Sequence, residues 1–286
     1  MNYSVLIQNR KSTREFTDKE INFSQLETIR NYYYNSVRRL VPEIRTELYC
    51  FGPGTGAALE GAAGYNQFLV GAPQYLVLLS EKHELAEINA GYVMQDLLLK
   101  LSDMDLDSCW LTFTDSDDVK GVLGIDSHKD VVAIAAFGYG KKVVRRLRLN
   151  IRSMSNVDLV AKHRYMEPKR SVEDMAFLKE WGNNHGLDAY IGFFGDALWE
   201  ALYAATLSPS YLNRQPYGFV LRDGRVYLVQ VPDEHTDEID GRLGLGIVLL
   251  HFSAVAEQWA GKVAWSFEDK ALELPDGYKV VASAAL

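Results

Sequence analysis

The chain has 286 residues, 48% hydrophobic and 24% charged, which is typical of a folded protein with one large domain or two small ones. Its formal net charge of −8 argues against a dedicated nucleic-acid binder, because phosphate neutralisation needs a basic face. Cys50 and Cys109 are too few for a disulfide framework, so a reducing compartment, the cytoplasm, is expected.

Hydrophobic periodicity predicts alternating helices and strands in the first part of the chain. The predicted elements are, in order, a helix over 22–41, strands over 47–51 and 74–80, a helix over 91–106, and strands over 108–113 and 130–140. Ser24 is the candidate cap of the first helix. The Gly- and Ala-rich stretch between the first two strands is predicted to be a loop, since its GPGTGA segment lacks the Lys-Ser/Thr ending of a phosphate-binding loop.

A polar segment over 153–170 separates this block from a second one. We place the domain boundary there, with a first domain over 1–152 and a second over 153–286. The predicted elements of the second block are a helix over 197–207, a hairpin over 218–231 that turns at Asp223 and Gly224, and an apolar helix over 245–259.

The two blocks repeat one spacing. Gly91 precedes Trp110 by 19 residues and Gly246 precedes Trp265 by 19, each Gly opening an apolar helix that leads to a strand. This coincidence predicts two copies of one unit. A helix that is apolar all round must be buried on every side, so we expect the two long helices to pack at a pseudo-twofold interface, where ligands often bind.

The first motif is RKSTREF, near the N-terminus. Arg10, Lys11, Ser12 and Arg14 place three cations and a hydroxyl within five residues. Guanidinium groups bind phosphate oxygens with several donors at once, so these residues form a candidate phosphate clamp. The alternative is a solvated basic turn.

The second motif is LSPSYLNRQPY, at the end of a predicted helix. Pro209 and Pro216 bracket a loop in which Ser210, Asn213 and Gln215 supply hydroxyl and amide groups. These groups match the donors and acceptors of a heteroaromatic ring or a ribityl chain. The alternative is ordinary turn chemistry, since loops are rich in Ser, Asn and Pro.

Together the motifs resemble those of the FMN-dependent nitroreductase family, whose members carry R-x-S-x-R-x-F and A-P-S-x-x-N-x-Q-P-W. The first matches in full, and the second has Ser208 for Ala and Tyr217 for Trp. The helix leading to Trp110 resembles the family's interface helix, and AAFGYG resembles its final strand. The resemblance extends from Arg10 to about Trp265.

In the usual homodimers the second motif follows soon after the first, whereas here it lies about 200 residues later. The chain therefore resembles a branch in which one polypeptide imitates the dimer. The resemblance implies an α+β, nitroreductase-like fold with two similar α/β halves forming a pseudo-dimer, and one FMN between them. The implied cofactor-binding residues are Arg10, Lys11, Ser12, Arg14, Pro209, Ser210, Tyr211, Asn213, Arg214 and Gln215.

Weaker phosphate candidates are Lys169, Arg170, Arg145 and Arg146. The converse site is expected to be absent, because the first half has VRRLVPEIRTELYCF where the loop should be and the second has only EPKRSVED where the clamp should be. One flavin per chain follows.

The resemblance also implies a reaction in which NAD(P)H delivers hydride to the flavin N5 and a nitroaromatic or quinone-like acceptor then takes it, in a ping-pong cycle. The flavin carries this chemistry, so no catalytic side chain is assigned; Arg14 and Arg214 are expected to stabilise the anionic reduced flavin. The alternative is a non-catalytic flavin- or small-ligand-binding protein, suggested by Tyr217 and the loss of one site. A purely structural or interaction module would require both motifs to be accidental.

Other features predict no further site. None of the six histidines shows metal-ligand pairing, and His251 on its apolar helix is expected to be a core histidine. The N-terminus is not that of a signal peptide, and the apolar stretch 243–256 is shorter than the ~18–20 residues of a membrane span. A basic connector, or else an anion-binding segment, is formed by Lys141, Lys142, Arg145, Arg146, Arg148 and Arg152.

The oligomeric state is left open between a monomer that mimics a dimer and a homodimer. An exposed patch at Tyr32, Tyr33 and Tyr34 is the candidate surface for pairing. Beyond NAD(P)H, the expected partner is a small-molecule electron acceptor.

Overall fold

The computed structural model describes residues 1–64, 69–141, 146–153, 156–162, 168–259, 261–268 and 272–286. For 146–153 and 156–162 it describes the backbone alone. The N-terminal elements are α1 (Tyr3–Asn9), α2 (Phe23–Asn35), β1 (Thr46–Phe51), α3 (Thr55–Leu59), β2 (Gln74–Ser80), α4 (Ala86–Asp103), β3 (Asp107–Leu111), α5 (Ser116–Leu123) and β4 (Asp130–Gly138).

The remaining elements begin with a two-stranded hairpin and end with a strand. They are β5 (Arg146–Ser153), β6 (Asn156–Lys162), α6 (Val172–Met175), β7 (Ala176–Leu178), α7 (Leu187–Phe194), α8 (Asp196–Thr206), a 3-10 turn (Tyr211–Asn213), β8 (Tyr217–Arg222), β9 (Arg225–Gln230), α9 (Glu238–Ala256) and β10 (Lys279–Ala285).

Two four-stranded sheets have the same plan. The first has the order β1-β2-β4-β3 and is antiparallel throughout. The second has the order β10-β9-β8-β7, in which the short β7 is parallel to β8. In each half an antiparallel pair of strands, β1–β2 or β8–β9, precedes the long helix, and a later strand, β4 or β10, pairs with the second strand of that pair. Ser266 bridges Ser283 of β10 as β3 pairs with β4. We call the β1–β4 sheet with α4 the first half, and the β7–β10 sheet with α9 the second half.

The two long helices cross at small residues. A Cβ atom on Gly91 would lie 2.2 Å from the carbonyl oxygen of Leu243, and one on Gly246 would lie 1.9 Å from that of Ile88. Gly91 and Ile88 occupy the positions in α4 that Gly246 and Leu243 occupy in α9. The contact is therefore reciprocal, as a twofold interface requires, and the predicted pseudo-dimer of two similar halves is confirmed.

Helix α9 is enclosed by this packing. It has 19 residues, and an 18-residue window within it has a mean hydropathy of 1.4, so the helix is long and apolar enough for a membrane span; however, 78% of that window is buried inside the protein. The helix is buried from Leu243 to Val255, and the two halves cover it from both sides. It is a core helix, and the all-round apolar pattern follows from its position.

The N-terminus crosses from one half to the other. Ile7 of α1 belongs to the apolar core of the second half, together with Phe219 and Phe252, whereas Phe16 belongs to the core of the first. The segment between them runs along the interface. The domain boundary between 152 and 153 falls inside the β5–β6 hairpin and stays a prediction.

Several local predictions are wrong. The helix expected over 22–41 ends at Asn35, because the backbone N–H of Arg38 donates to Asp96 (2.9 Å) and that of Val41 to Asn89 (3.0 Å) instead of continuing the helix. Its cap is not Ser24: Asn22 accepts from Gln25 N–H in a capping box.

Two predicted irregular segments contain secondary structure. The glycine-rich stretch after β1 includes the short helix α3, entered through a left-handed Gly54 at φ 92°. The polar connector includes the β5–β6 hairpin, while Lys142 and Arg145 of the basic run lie outside the described residues.

The prediction of an exposed surface patch at Tyr32, Tyr33 and Tyr34 is also wrong. Tyr33 is buried and Tyr32 is half-buried, donating to the Asp96 carboxylate (2.8 Å). Tyr34 alone of the three is exposed. A helix buries one side of any run of consecutive residues, so three successive tyrosines cannot all face solvent here.

Candidate functional site

The N-terminal motif is held against the first half as an extended segment. Thr13 N–H donates to Ser108 O of β3 (3.0 Å), and Thr17 N–H to Tyr139 O after β4 (2.8 Å). Thr13 and Phe16 are buried. Alternate side chains of an extended chain point to opposite sides, so Ser12 and Arg14 share the face away from Thr13 and line a cavity between the halves.

The second motif is a strained loop. Leu212, Asn213 and Gln215 have φ values of 45°, 58° and 48°, in the left-handed region that non-glycine residues avoid. Ser210 Oγ accepts from Gln215 N–H (2.9 Å), and the Gln215 side chain donates to Thr206 O (2.6 Å). Strain of this kind is retained where the surroundings determine the conformation, commonly at ligand sites.

The loop and the N-terminal segment meet across a cavity of about 260 Å³. Half of the predicted cofactor-binding residues line it: Ser12, Arg14, Pro209, Ser210 and Tyr211. The other lining residues come from the segment after α3, from β3 and its continuation, from the loop and from α9; they are Gly64, Val70, Cys109, Trp110, Leu111, Thr112, Leu212, Asp240, Leu243, Gly244 and Ile247.

Two cations, Arg10 of the N-terminal segment and Lys169 of the chain that enters the second half, lie close enough to influence each other's charge. The Arg10 guanidinium is buried, and its Nε and Nη2 atoms have no hydrogen-bond acceptor among the described residues. Burial lowers the pKa of Arg10 to about 10, although Cys109 and Asp107 oppose the shift. Burial and the charge of Arg10 lower the pKa of Lys169 to about 8. Two partly buried cations are thus brought together where the N-terminal segment meets the second half.

Lys169 and Arg170 also hold the loop in place. The Lys169 ammonium donates to Ser208 O (2.9 Å) and to Asn213 Oδ1 (2.5 Å). Arg170 donates from its backbone to Gln215 Oε1 (3.2 Å) and from its guanidinium to Tyr217 O (3.1 Å). These two residues, weak candidates in the sequence, connect the loop to the chain that enters the second half.

The other predicted residues do not line this cavity. Arg10 and Lys11 line a separate groove beside Asp103 and Asp105. The side chains of Asn213 and Gln215 are bonded within the loop and to the chain before it, Asn213 also donating to Pro168 O (3.0 Å). Their amide groups are therefore used to build the loop.

Arg214 is directed elsewhere. Its Nε lies 3.2 Å from both carboxylate oxygens of Asp233, and its Nη2 lies 2.7 Å from one of them. Arg214 mainly causes the pKa of Asp233 to fall to about 2. Arg214 is therefore engaged outside the cavity, and of the two cations expected to stabilise a reduced flavin only Arg14 lines the cavity.

Comparison with known proteins decides the family. Residues 3–176 match the family model described as "Putative TM nitroreductase". The chain belongs to this nitroreductase family. A solved nitroreductase-type protein from Thermotoga maritima is 17% identical with a TM-score of 0.58, and the match covers 100% of this chain and 94% of the other. The two share the fold over their whole length.

Two other solved structures match about half of the chain each. A nitroreductase family protein from Clostridium novyi has 18% identity and a TM-score of 0.43, covering 49% of this chain and 86% of its own. An FMN-dependent nitroreductase from Clostridium difficile has 18% identity and a TM-score of 0.42, covering 49% and 88%. A search among curated proteins gave no significant match.

The nitroreductase fold of this chain has a polar connection beneath the cavity. Trp110 Nε1–H donates to Gln95 Oε1 (3.0 Å), and the Gln95 amide lies 2.9 Å from His251 Nε2. His251 Nδ1 lies 3.1 Å from Ala204 O. Burial lowers the pKa of His251 to about 3, so this histidine is neutral and joins the two halves. The expectation that it is a core histidine is confirmed.

In the first half, the segment that contains Val41 packs at the position that the pseudo-twofold axis relates to the cavity wall at Gly244. Gly244, two residues before the crossing Gly246, leaves room in the cavity wall. The matching residue two before Gly91 is Asn89, whose side-chain Oδ1 accepts from Val41 N–H. The segment that carries Val41 stands where the sequence predicts a missing second loop, and this packing supports the expectation of a single site.

The sequence missed the wall supplied by β3 and α9, above all Asp240, Leu243 and Gly244. A signal existed, because Gly244 and Gly246 in an apolar helix mark a close approach of the backbone. For Asp240 and Leu243 the sequence contains no signal that they line a cavity.

Proposed function

We propose that this nitroreductase-family chain is an FMN-dependent oxidoreductase that uses NAD(P)H and a nitroaromatic or quinone-like acceptor, with one FMN per chain. One observation carries the proposal: the Nε and Nη2 atoms of Arg10 are buried and have no acceptor among the described residues, and the Lys169 ammonium of the other half lies close enough for the two charges to repel. Buried donors are nearly always satisfied, so this pair requires an anion with several oxygens, such as a phosphate monoester.

The residues present fit FMN. Arg10 and Lys169 would hold the phosphate, with Ser12 Oγ at the nearby end of the cavity. Pro209, Ser210 and Tyr211 would face the ring from the loop. When bound, FMN supplies the capacity to accept hydride from a nicotinamide and to pass it to an oxidised acceptor.

The chain's own residues position and protect this chemistry. Apolar wall residues such as Val70, Leu243 and Ile247 exclude water, which strengthens electrostatic interactions within the cavity. Arg14 supplies positive charge at the cavity, where it would stabilise the anionic form of a reduced cofactor. The strained loop keeps Ser210 and Tyr211 oriented without ligand.

The first experiment is an absorbance spectrum of the purified protein, before and after NADH or NADPH. Yellow protein that bleaches supports the oxidoreductase. Yellow protein that does not bleach supports the alternative of a non-catalytic flavin-binding protein, and colourless protein that ignores added FMN refutes flavin binding altogether.

The second experiment tests the clamp with Arg10→Met. The loss of two charge-assisted hydrogen bonds, each worth roughly 1.5–3 kcal/mol, should weaken FMN binding by at least about 100-fold. Riboflavin binding should change little, because it lacks the phosphate. Arg214→Met is the matched control, since that guanidinium is engaged by Asp233. Equal FMN affinity in Arg10→Met and wild type would refute the clamp.

The same proposal places the protein in the cytoplasm and makes its partner a small-molecule electron acceptor. Both cysteines are free, Cys109 being buried in the cavity wall, which suits a reducing compartment.

A further inference from the structure

Asp240 brings a carboxyl group to the wall of the cavity. It lies in the first turn of α9, where its backbone N–H donates to the capping Asp237 (2.8 Å). Its Oδ2 atom is buried and accepts no hydrogen bond from the described part of the chain. Nor does any Lys, Arg or His in that part form an ion pair with it. A negative charge on this half-buried group is costly, because the buried oxygen has neither a donor nor a cation to compensate it.

The surrounding groups do not relieve this cost. The N-terminal segment contributes Arg14 to the same cavity, β3 contributes Cys109 and the loop contributes Tyr211. Arg14 makes no ion pair with Asp240, and Asp237 at the helix cap is a like charge. Burial, and then the proximity of Asp237, raise the pKa of Asp240 to about 7. The group therefore changes charge within the physiological range, inside a cavity with a largely apolar wall.

The charge state of this carboxyl decides what the cavity accepts. An ionised Asp240 repels a second negative charge placed a few ångströms away, and the apolar wall strengthens that repulsion. The neutral carboxyl can instead donate a hydrogen bond to an acceptor's oxygen. We propose that Asp240 is a selectivity-determining residue of the cavity, which excludes anionic aromatic acceptors when ionised and admits neutral ones at any pH. This inference rests on the proposed function, under which the ligands of the cavity include an electron acceptor.

The test compares benzoate with benzamide, two aromatic ligands of the same shape that differ in charge. Their binding to the purified protein is measured by calorimetry. Because of like-charge repulsion in a low-dielectric site, benzoate affinity should fall by at least about tenfold between about pH 6 and about pH 8.5. Benzamide affinity should stay constant over that range.

Two variants assign the effect to the carboxyl. Asp240→Asn has the same shape and cannot ionise, so its benzoate affinity should not depend on pH. Asp237→Ser keeps a capping oxygen but removes the neighbouring charge, so the midpoint of the wild-type transition should move to lower pH. This second variant leaves Asp240 in place and tests the inference even if Asp240→Asn fails to fold.

Several results would overturn the inference: benzoate binding that is independent of pH in wild type, an unchanged transition in Asp240→Asn, or binding of neither ligand. Flavin content is read separately from the visible absorbance of the same samples. A colourless protein with the pH-dependent benzoate transition would refute the proposed flavin chemistry while supporting the role of Asp240.

Discussion

Replacing Gly246 by Ala should separate the two halves. The new Cβ would lie 1.9 Å from Ile88 O and 2.8 Å from Tyr92 N, whereas ordinary contact begins at 3.4 Å. The neighbours are backbone atoms of α4, so no side chain can rotate away. Relief requires that the helices move apart by about 1.5 Å, and a gap of even 0.5–1 Å forfeits about a quarter to a half of the dispersion energy of each contact.

The expected cost follows from these distances. Overpacking in a core costs about 1–3 kcal/mol and occasionally more. The better helix propensity of Ala returns about 1 kcal/mol. Because the obstacle is main chain over the full crossing, we expect the cost at the upper end and therefore a net loss of about 2 kcal/mol of unfolding free energy. Gly91→Ala, whose Cβ would meet Leu243 O at 2.2 Å, should behave alike.

The assay is urea denaturation followed by circular dichroism. Gly241→Ala is the control in the same helix, since its Cβ would lie 3.7 Å from the Thr236 side chain and it should stabilise by about 0.5–1 kcal/mol. The double variant Gly91→Ala/Gly246→Ala should cost less than the sum of the single ones, because the first substitution already parts the helices. If Gly246→Ala were as stable as Gly241→Ala, the close crossing of α4 and α9 would be refuted.

Two further predictions concern Arg214 and His251. Arg214→Ala should leave FMN content and reduction rate unchanged, and it should raise the pKa of Asp233 from about 2. In wild type the Arg214–Asp233 ion pair contributes to stability above about pH 4, and this contribution is lost as the pH falls toward 2. A drop in flavin content would contradict this. His251→Gln should make the unfolding free energy depend less on pH in the acid range. Buried His251 stays neutral down to a pKa of about 3, whereas the unfolded chain protonates it below about 6.5, so this residue alone lowers the unfolding free energy of wild type by about 1.4 kcal/mol per pH unit below about 6.5. Equal slopes in urea titrations of the two proteins would contradict it.

Much of the architecture was readable from local patterns. The repeated Gly–Trp spacing predicted two similar halves, and the apolar stripes predicted α4 and α9 and their contact. The Asp223-Gly224 pair predicted the hairpin turn, and both residues have positive φ, 51° and 69°. Such patterns succeed because burial imposes a helical or strand period on the chain wherever an element is long.

The sequence by itself also determined which segments converge, since Ser12 and Arg14 meet Ser210 across one cavity. Only the tertiary structure decided what each polar side chain does there. The side-chain amides of Asn213 and Gln215 bond to Lys169 and Thr206, which lie outside the loop.

Tertiary structure also decided where α2 ends and what Asp240 does in the cavity wall. α2 ends at Asn35 because hydrogen-bond acceptors on α4, far along the chain, capture the next backbone N–H groups. Asp240 is an ordinary first-turn acid in the sequence; only the fold places it in a cavity wall shared with the loop and the N-terminal segment, where its Oδ2 atom is buried and has no partner among the described residues. Local periodicity records which face is buried; the partner of a polar group depends on which distant segment arrives there.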